Sequence, residues 1–142
     1  MVDGAKVKLR PVGARAKVGR LGRPMMSTVT GGALEVVTGV SEPGFNPIDL
    51  LYSSLAACLA LSARIAASRL GMLDRFEGVA VDVSGEKSAD EPYRILRFDI
   101  RIEITGNFDE ATRAAIAHMA EDICTVSNTL KGNAEFALST TG

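Results

Sequence analysis

Apolar and polar positions change period twice along this chain, and the changes divide it into elements. The first third consists of short extended runs broken by glycine. Val7-Lys8-Leu9-Arg10 alternates, and Ala14 to Val18, Met25 to Thr30 and Leu34 to Thr38 follow. Period-two spacing bounded by Gly13, Gly19, Gly22 and Gly31-Gly32 predicts strands. The Gly31-Gly32 pair between two extended runs predicts a hairpin. A long run of helical character comes next. Every residue from Leu50 to Leu61 is apolar or small. Asn46 is a good N-cap, Pro47 suits the first helical position, and Asp49 stands three residues after Asn46 as in a capping box. The helix is predicted to reach Leu70, with Gly71 as its left-handed stop and Arg64 and Arg69 complementing the dipole at its end.

Strand periodicity then returns. Val79 to Val83 leads into a polar turn predicted over Ser84 to Pro92. From Tyr93 to Ile104 the apolar Ile95, Phe98, Ile100, Ile102 and Ile104 are set against Arg94, Arg97, Asp99, Arg101 and Glu103. That is the pattern of a hairpin with one wet face. A second helix is predicted from a cap at Asp109 to about Asp122, burying Ile116, Ala120 and Ile123. After Cys124 a short helical turn ends at Gly132, and Ala134 to Ser139 reads as a last strand. The fold class is α+β, with one domain over residues 1–142 and no internal repeat or linker. The long helix also predicts an assembly. It is about 36 Å long and apolar on all faces in its middle. One sheet from a chain of 142 residues covers one side of it. The other side would expose more than the few hundred Å² that monomers tolerate, so a two-fold dimer is expected.

Composition narrows the function classes. With 46% apolar and 23% charged residues and a net charge of −1, nothing draws the whole chain to nucleic acid or to an anionic membrane. Charge is uneven, since Lys6, Lys8, Arg10, Arg15, Lys17, Arg20 and Arg23 face only Asp3 in the first 24 residues. No Tyr or Phe precedes Phe45, so this basic region lacks the stacking residues of a nucleic-acid binder. The N-terminus has no apolar stretch of an export signal, and the Leu50 to Leu61 run is too short to cross a bilayer. A reducing, cytoplasmic location is therefore expected, where a disulfide would be transient and chemical.

Cys58 and Cys124 are the two cysteines. Cys58 lies three turns into the apolar helix, beyond the reach of its dipole. There it is an inert small hydrophobe unless the fold brings a charge that lowers its pKa. Cys124 lies at a break between helices, where unpaired amides can stabilise a thiolate, although it too could simply be packed. Taken together, the pair suits a peroxide-reducing dithiol. A Cys58 thiolate would attack an O–O bond, and Cys124 would condense with the resulting sulfenic acid. Their Cα atoms must then lie within about 7 Å. Leu51, Leu55 and Leu59 would provide apolar walls for the alkyl part of the substrate. No metal or other cofactor is expected, because there is no C-x-x-C pair and His118 is a lone histidine off the helical face of Cys124. No catalytic triad or phosphate-binding glycine pattern is present.

Asn46-Pro47 through Leu50-Leu51, then Ala56-Ala57-Cys58, and later Cys124-Thr125-Val126-Ser127-Asn128-Thr129-Leu130 resemble the two cysteine motifs of the OsmC/Ohr family, the osmotically inducible and organic-hydroperoxide-resistance proteins. The resemblance covers nearly the whole chain and its order of elements. It implies antiparallel sheets wrapped around long central helices in an intertwined homodimer, with active sites at the subunit interface. It implies thiol-dependent reduction of hydroperoxides, preferably organic, in oxidative stress defence, with Cys58 peroxidatic and Cys124 resolving. Recycling would come from a dithiol such as a lipoylated protein, without metal or flavin. The family's peroxidases place a glutamate after Asn-Pro, where this chain has Ile48, and hold the thiolate with an arginine, a position that Arg23 matches. Asp49, one residue on, either replaces the acid or caps the helix. Thr125 stands where a proline is usual. A chain without the Glu–Arg pair has an alternative use, as a non-enzymatic dimer that binds a small apolar ligand.

Overall fold

The computed structural model describes residues 9–142, which fall into two compact units, residues 9–50 and 51–142. Of the expected strand Val7 to Arg10, residues 7 and 8 lie outside the described residues, and Leu9 and Arg10 are in no strand.

The first unit is a three-stranded antiparallel sheet, β1 (Ala14–Lys17), β2 (Met25–Thr28) and β3 (Ala33–Glu35), in that spatial order. The glycine pair makes the predicted hairpin. Gly31 adopts φ +102°, its N–H donates to Thr28 O at 3.0 Å, and Gly32 N–H donates to Thr28 Oγ1 at 2.8 Å. Beyond β3, Val36 and Val37 are buried, and their N–H groups donate to Pro24 O and Phe45 O.

A long helix, α1 (Pro47–Arg69), follows. Its start is a reciprocal cap: Asp49 N–H donates to Asn46 Oδ1 at 2.7 Å, and Asn46 N–H donates to Asp49 Oδ2 at 3.0 Å. Its end is the glycine stop read from the sequence. Gly71 takes φ +71°, and Met72 N–H reaches back to Ala67 O at 2.8 Å. With 23 residues, α1 is long and apolar enough by length and composition to cross a membrane, contrary to the estimate from the Leu50 to Leu61 run alone. Here one stripe of it carries the core of residues 51–142.

That second unit is built on a hairpin of two twelve-residue strands, β4 (Phe76–Lys87) and β5 (Ile95–Gly106), followed by α2 (Glu110–Ile123) and α3 (Thr125–Lys131). The turn is shorter than predicted. Ser84, Gly85 and Glu86 still pair with Asp99, Phe98 and Arg97, because polar residues on the wet face of a strand read like a turn when taken without their partners. Ser88 closes the loop, donating to Asp90 O and accepting from Arg94 N–H. Asp109 caps α2 as expected, its Oδ1 accepting from Thr112 N–H at 2.8 Å.

Two adjoining apolar clusters fill the unit. Ala63, Ala66 and Ala67 of α1 pack with Ile104, Phe108, Ile116 and Ala120. Leu55 and Leu59 pack with Cys124, flanked by Cys58, Val81, Val83, Phe98 and Val126. Arg113 bolts α2 to the end of the hairpin. Its Nε, Nη1 and Nη2 donate to Ile104 O (3.2 Å), Phe108 O (2.7 Å) and Gly106 O (3.1 Å). Gly106 itself is at φ +153°, and a Cβ there would strike Arg75 O and the Phe108 ring.

A further expectation is corrected. Ala134 to Ser139 form no strand, because a strand exists only as one side of a ladder and no described strand pairs with them. Phe136 and Leu138 project at 97% and 92% exposure. The middle of α1 is covered by this chain on one side, the extent that one sheet was expected to cover. Its buried residues, Leu55, Leu59, Ser62, Ala63, Ala66 and Ala67, lie on one stripe, while Leu61 and Ile65 remain 54% and 43% exposed. A helix apolar all round is covered on one face by its own hairpin, as sheet geometry dictates.

Candidate active site

Helical spacing decides which side chains of α1 accompany Cys58. Leu55, Cys58, Leu59 and Ser62 recur at intervals of three and four and so share one face. Leu55 and Leu59 are fully buried, Ser62 is 4% exposed, and Cys58 is half-buried at the margin of the stripe.

Cys124 arrives from the other side. It is both the last cap of α2 and the first cap of α3, with φ −65° and ψ 110°. Its N–H closes α2 on Ala120 O at 2.9 Å, and its carbonyl opens α3 by accepting from Asn128 N–H at 3.0 Å. The extended ψ makes the break, and the break turns the side chain inward. Cys124 is completely buried, and its Sγ accepts from Ser127 N–H at 3.3 Å. Asn128 Nδ2 donates to Asp122 O and Thr129 Oγ1 to Thr125 O, which fixes the segment.

The fold therefore brings Cys58 and Cys124 together as free thiols in one cluster. Their environments separate their acidities. Burial pushes the Cys58 thiol up, but the Cys124 thiol, the Val126 and Thr125 amides and the Ser62 hydroxyl act on it as hydrogen-bonding groups and together hold it below the ordinary thiol value. Burial pushes the Cys124 thiol up, and so do its hydrogen bond to Cys58 and the charge on Cys58, against smaller opposing effects of the Ser127 and Val126 amides. The arrangement favours one thiolate, on Cys58, beside one protonated thiol.

Leu55 and Leu59 pack directly on Cys124, and Leu51 is half-buried one turn earlier. Leu55 and Ser127 also line an open groove of about 220 Å³ between β5 and the α2–α3 corner, with Phe98, Ile100 and Leu130. Arg23 and Asp49 belong to the first unit. The Arg23 guanidinium pairs with Glu35 Oε1 at 2.8 Å and with Glu42. Asp49 is the α1 cap described above. Reading the sequence did not single out Ser62 or the Thr125 and Val126 amides. Ser62 had a signal, since it is a polar residue one turn beyond Cys58 on a core-facing stripe. Backbone donors have none, because every residue but proline carries one.

The comparisons with known proteins bear on this site. Residues 39–139 match the family model described as OsmC-like protein, which spans both cysteine motifs. The chain belongs to the OsmC-like protein family. Its fold is found in solved structures that this family member matches over most of their length. An organic hydroperoxide resistance protein OsmC from Legionella pneumophila superposes with TM-score 0.74 at 22% identity, over 89% of this chain and 93% of that one. An organic hydroperoxide resistance protein from Elizabethkingia anophelis gives TM-score 0.72 at 19% identity, over 89% and 91%. The organic hydroperoxide resistance protein OhrB of Bacillus subtilis gives 0.67 at 17% identity, over 86% and 91%. No curated protein matches the sequence. The α+β class expected from the order of elements, and the OsmC/Ohr architecture of antiparallel sheets and helices implied by the two cysteine motifs, are thus those of this OsmC-like chain.

Proposed function

We propose that this protein is a cytoplasmic, thiol-dependent peroxidase that reduces organic hydroperoxides in oxidative stress defence. The observation that carries the reading is the Cys58–Cys124 pair, one thiol held down in pKa and its neighbour held up. Thiolate is the attacking species, so a lowered Cys58 value raises the fraction ready to react.

The Cys58 thiolate attacks the distal oxygen of ROOH. The O–O bond breaks, Cys58 becomes a sulfenic acid, and the alkoxide leaves as ROH after taking a proton. The Cys124 thiol then attacks the Cys58 sulfur, and the sulfenic oxygen leaves as water with the Cys124 proton. A Cys58–Cys124 disulfide results. A small or protein-bound dithiol, such as a lipoylated protein, returns both cysteines to thiols and is itself oxidised to a disulfide. No resident cofactor takes part. Leu51, Leu55 and Leu59 form the apolar wall on which the alkyl group rests. Arg23 is the cation assigned by the family pattern to the thiolate. Asp49 is assigned to the helix cap, since its reciprocal bonds with Asn46 account for it fully.

The working form is a homodimer with a shared thiol site. The exposed Leu61 and Ile65 on α1 and the unpartnered Phe136 and Leu138 support this. Sedimentation at micromolar concentration should give about twice the 15.0 kDa chain mass, with an interface above roughly 2,000 Å² as in permanent dimers. A stable folded monomer would remove the shared-site part of the reading.

Steady-state consumption of cumene hydroperoxide with dihydrolipoamide tests the activity. Catalytic turnover is expected. Absence of turnover with any alkyl hydroperoxide would leave the apolar-ligand-binding alternative in its place.

A further inference from the structure

We propose that the α2–α3 junction is a redox-driven latch: the Cys124 sulfur is also the acceptor that caps α3, so closing the Cys58–Cys124 disulfide uncaps α3 and opens the site to the reductant. The proposal rests on the dithiol reading above and concerns how the oxidised pair is exposed for its return to thiols.

The latch is one hydrogen bond. Cys124 Sγ accepts from Ser127 N–H at 3.3 Å, which makes the thiol the side-chain cap of α3. The first N–H groups of a helix have no intrahelical acceptor, and a side-chain cap supplies one. Here the capped donor is out of reach of water, since Ser127 is 4% exposed and Cys124 is completely buried. A buried N–H stripped of its acceptor is costly, so the segment that carries it gains by moving to where water reaches it. Little else holds α3 in place. Of its seven residues, Thr125, Asn128, Thr129, Leu130 and Lys131 are exposed. Asn128 Nδ2 donates to Asp122 O at 3.0 Å, and Lys131 Nζ lies 4.0 Å from Glu121 Oε2 in an exposed pair that adds little. Residues 133–142 join no strand among the described residues.

Oxidation acts on the latch through geometry. Two free thiol sulfurs are kept apart by their van der Waals radii, whereas a disulfide holds them at about 2.05 Å. Cys58 sits mid-way along the 23-residue α1, between the buried Leu55 and Leu59. Cys124 is a single extended residue between two helices. The movement therefore falls on Cys124, and its sulfur leaves the Ser127 N–H. In the balanced step the S–S bond forms, both thiol hydrogens depart, and ROOH becomes ROH and water. A reducing dithiol must then attack a disulfide sulfur, which requires access. Cys124 gives none while α3 is closed. Ser127, Leu130 and Lys131 share a groove with Leu55, and their release opens an approach to the bond. Reduction restores the cap and closes the latch.

The test is amide hydrogen exchange of the full chain, read by mass spectrometry on peptides covering residues 125–132. It compares the thiol form with the disulfide form closed by diamide, which takes up the two thiol hydrogens. The disulfide form is expected to exchange roughly threefold to thirtyfold faster there, the scale of a lost helix cap, with β4 and β5 unchanged. Cys124→Ala, which has no cap acceptor, is expected to exchange as fast without any oxidant. Cys124→Ser, whose hydroxyl replaces the sulfur as acceptor, is expected to stay protected. Equal exchange in the thiol and disulfide forms would overturn the proposal. So would a Cys124→Ala variant as protected as the unaltered chain, or failure of diamide to close the disulfide. If circular dichroism shows that Cys124→Ala loses the fold, the two forms of the unaltered chain decide alone. Diamide needs no hydroperoxide, so faster exchange without peroxide turnover refutes the peroxidase reading and not the latch, and turnover with equal exchange does the reverse.

Discussion

Replacing Cys58 by serine is expected to abolish hydroperoxide consumption, while replacing Cys124 by serine is expected to leave the first reduction intact and block the normal return. The hydroxyl of serine stays protonated near neutral pH and its oxygen cannot form the sulfenic acid, so Cys58→Ser loses the reaction altogether. A fall of roughly a thousandfold or more is expected, the scale of removing a nucleophile. In Cys124→Ser the Cys58 sulfenic acid forms with nothing beside it to condense with. It accumulates, and dimedone should label it in proportion to the hydroperoxide added. The pH profile follows from the same environments. Cys58 is held below the ordinary thiol value, so the peroxide-reducing step should reach half its maximum at a lower pH than an unperturbed thiol would give, rising with pH as thiolate forms. Cys124 is held above it and keeps its proton over that range, as the donor of the water-forming step requires. An equal loss of the first turnover in both variants would contradict the division of roles.

Arg113→Met is expected to be the most damaging single change outside the thiol pair. The guanidinium donates to the carbonyls of Ile104, Gly106 and Phe108, where β5 ends and the chain turns into α2. Methionine keeps the apolar stem and removes all three donors, while Gly106 O retains the Phe108 N–H at 3.0 Å. The cost is about 3 kcal/mol, and thermal unfolding should move down by roughly 6–12 °C. The effect reaches the site, because α2 carries Cys124 at its end. A melting temperature within a degree or two of the unaltered chain would show that water replaces the guanidinium without loss.

Much of this was written in local sequence. Asn46, Pro47 and Asp49 announce the start of α1 and Gly71 its end, since caps depend on a few neighbouring residues. The alternation from Ile95 to Ile104 announces β5 and its wet face in the same way. What failed to show was set by partners distant in sequence. Ser84 to Glu86 belong to a strand only because Arg97 to Asp99 pair with them. Ala134 to Ser139 have a strand's composition but pair with no strand among the described residues. Arg113 reads as one more surface cation until the loop carbonyls converge on it.

The site divides in the same manner. The motifs around Cys58 and Cys124 stood out as residues, and their meeting depended on the ψ of Cys124 and the packing of Leu55 and Leu59. Besides Cys124, the groups that lower the Cys58 pKa are a small hydroxyl and main-chain amides, which no residue pattern marks.

The central claim is that the two cysteines act as one redox couple. One measurement addresses it directly: mass spectrometry of the unreduced peptides after one equivalent of cumene hydroperoxide is added to the thiol form. The account predicts a Cys58–Cys124 linked peptide, two hydrogens lighter than the sum of the free thiols, within one chain and with the hydroperoxide as the sole oxidant. Cysteines that both remain open to alkylation after the peroxide has been offered would contradict it.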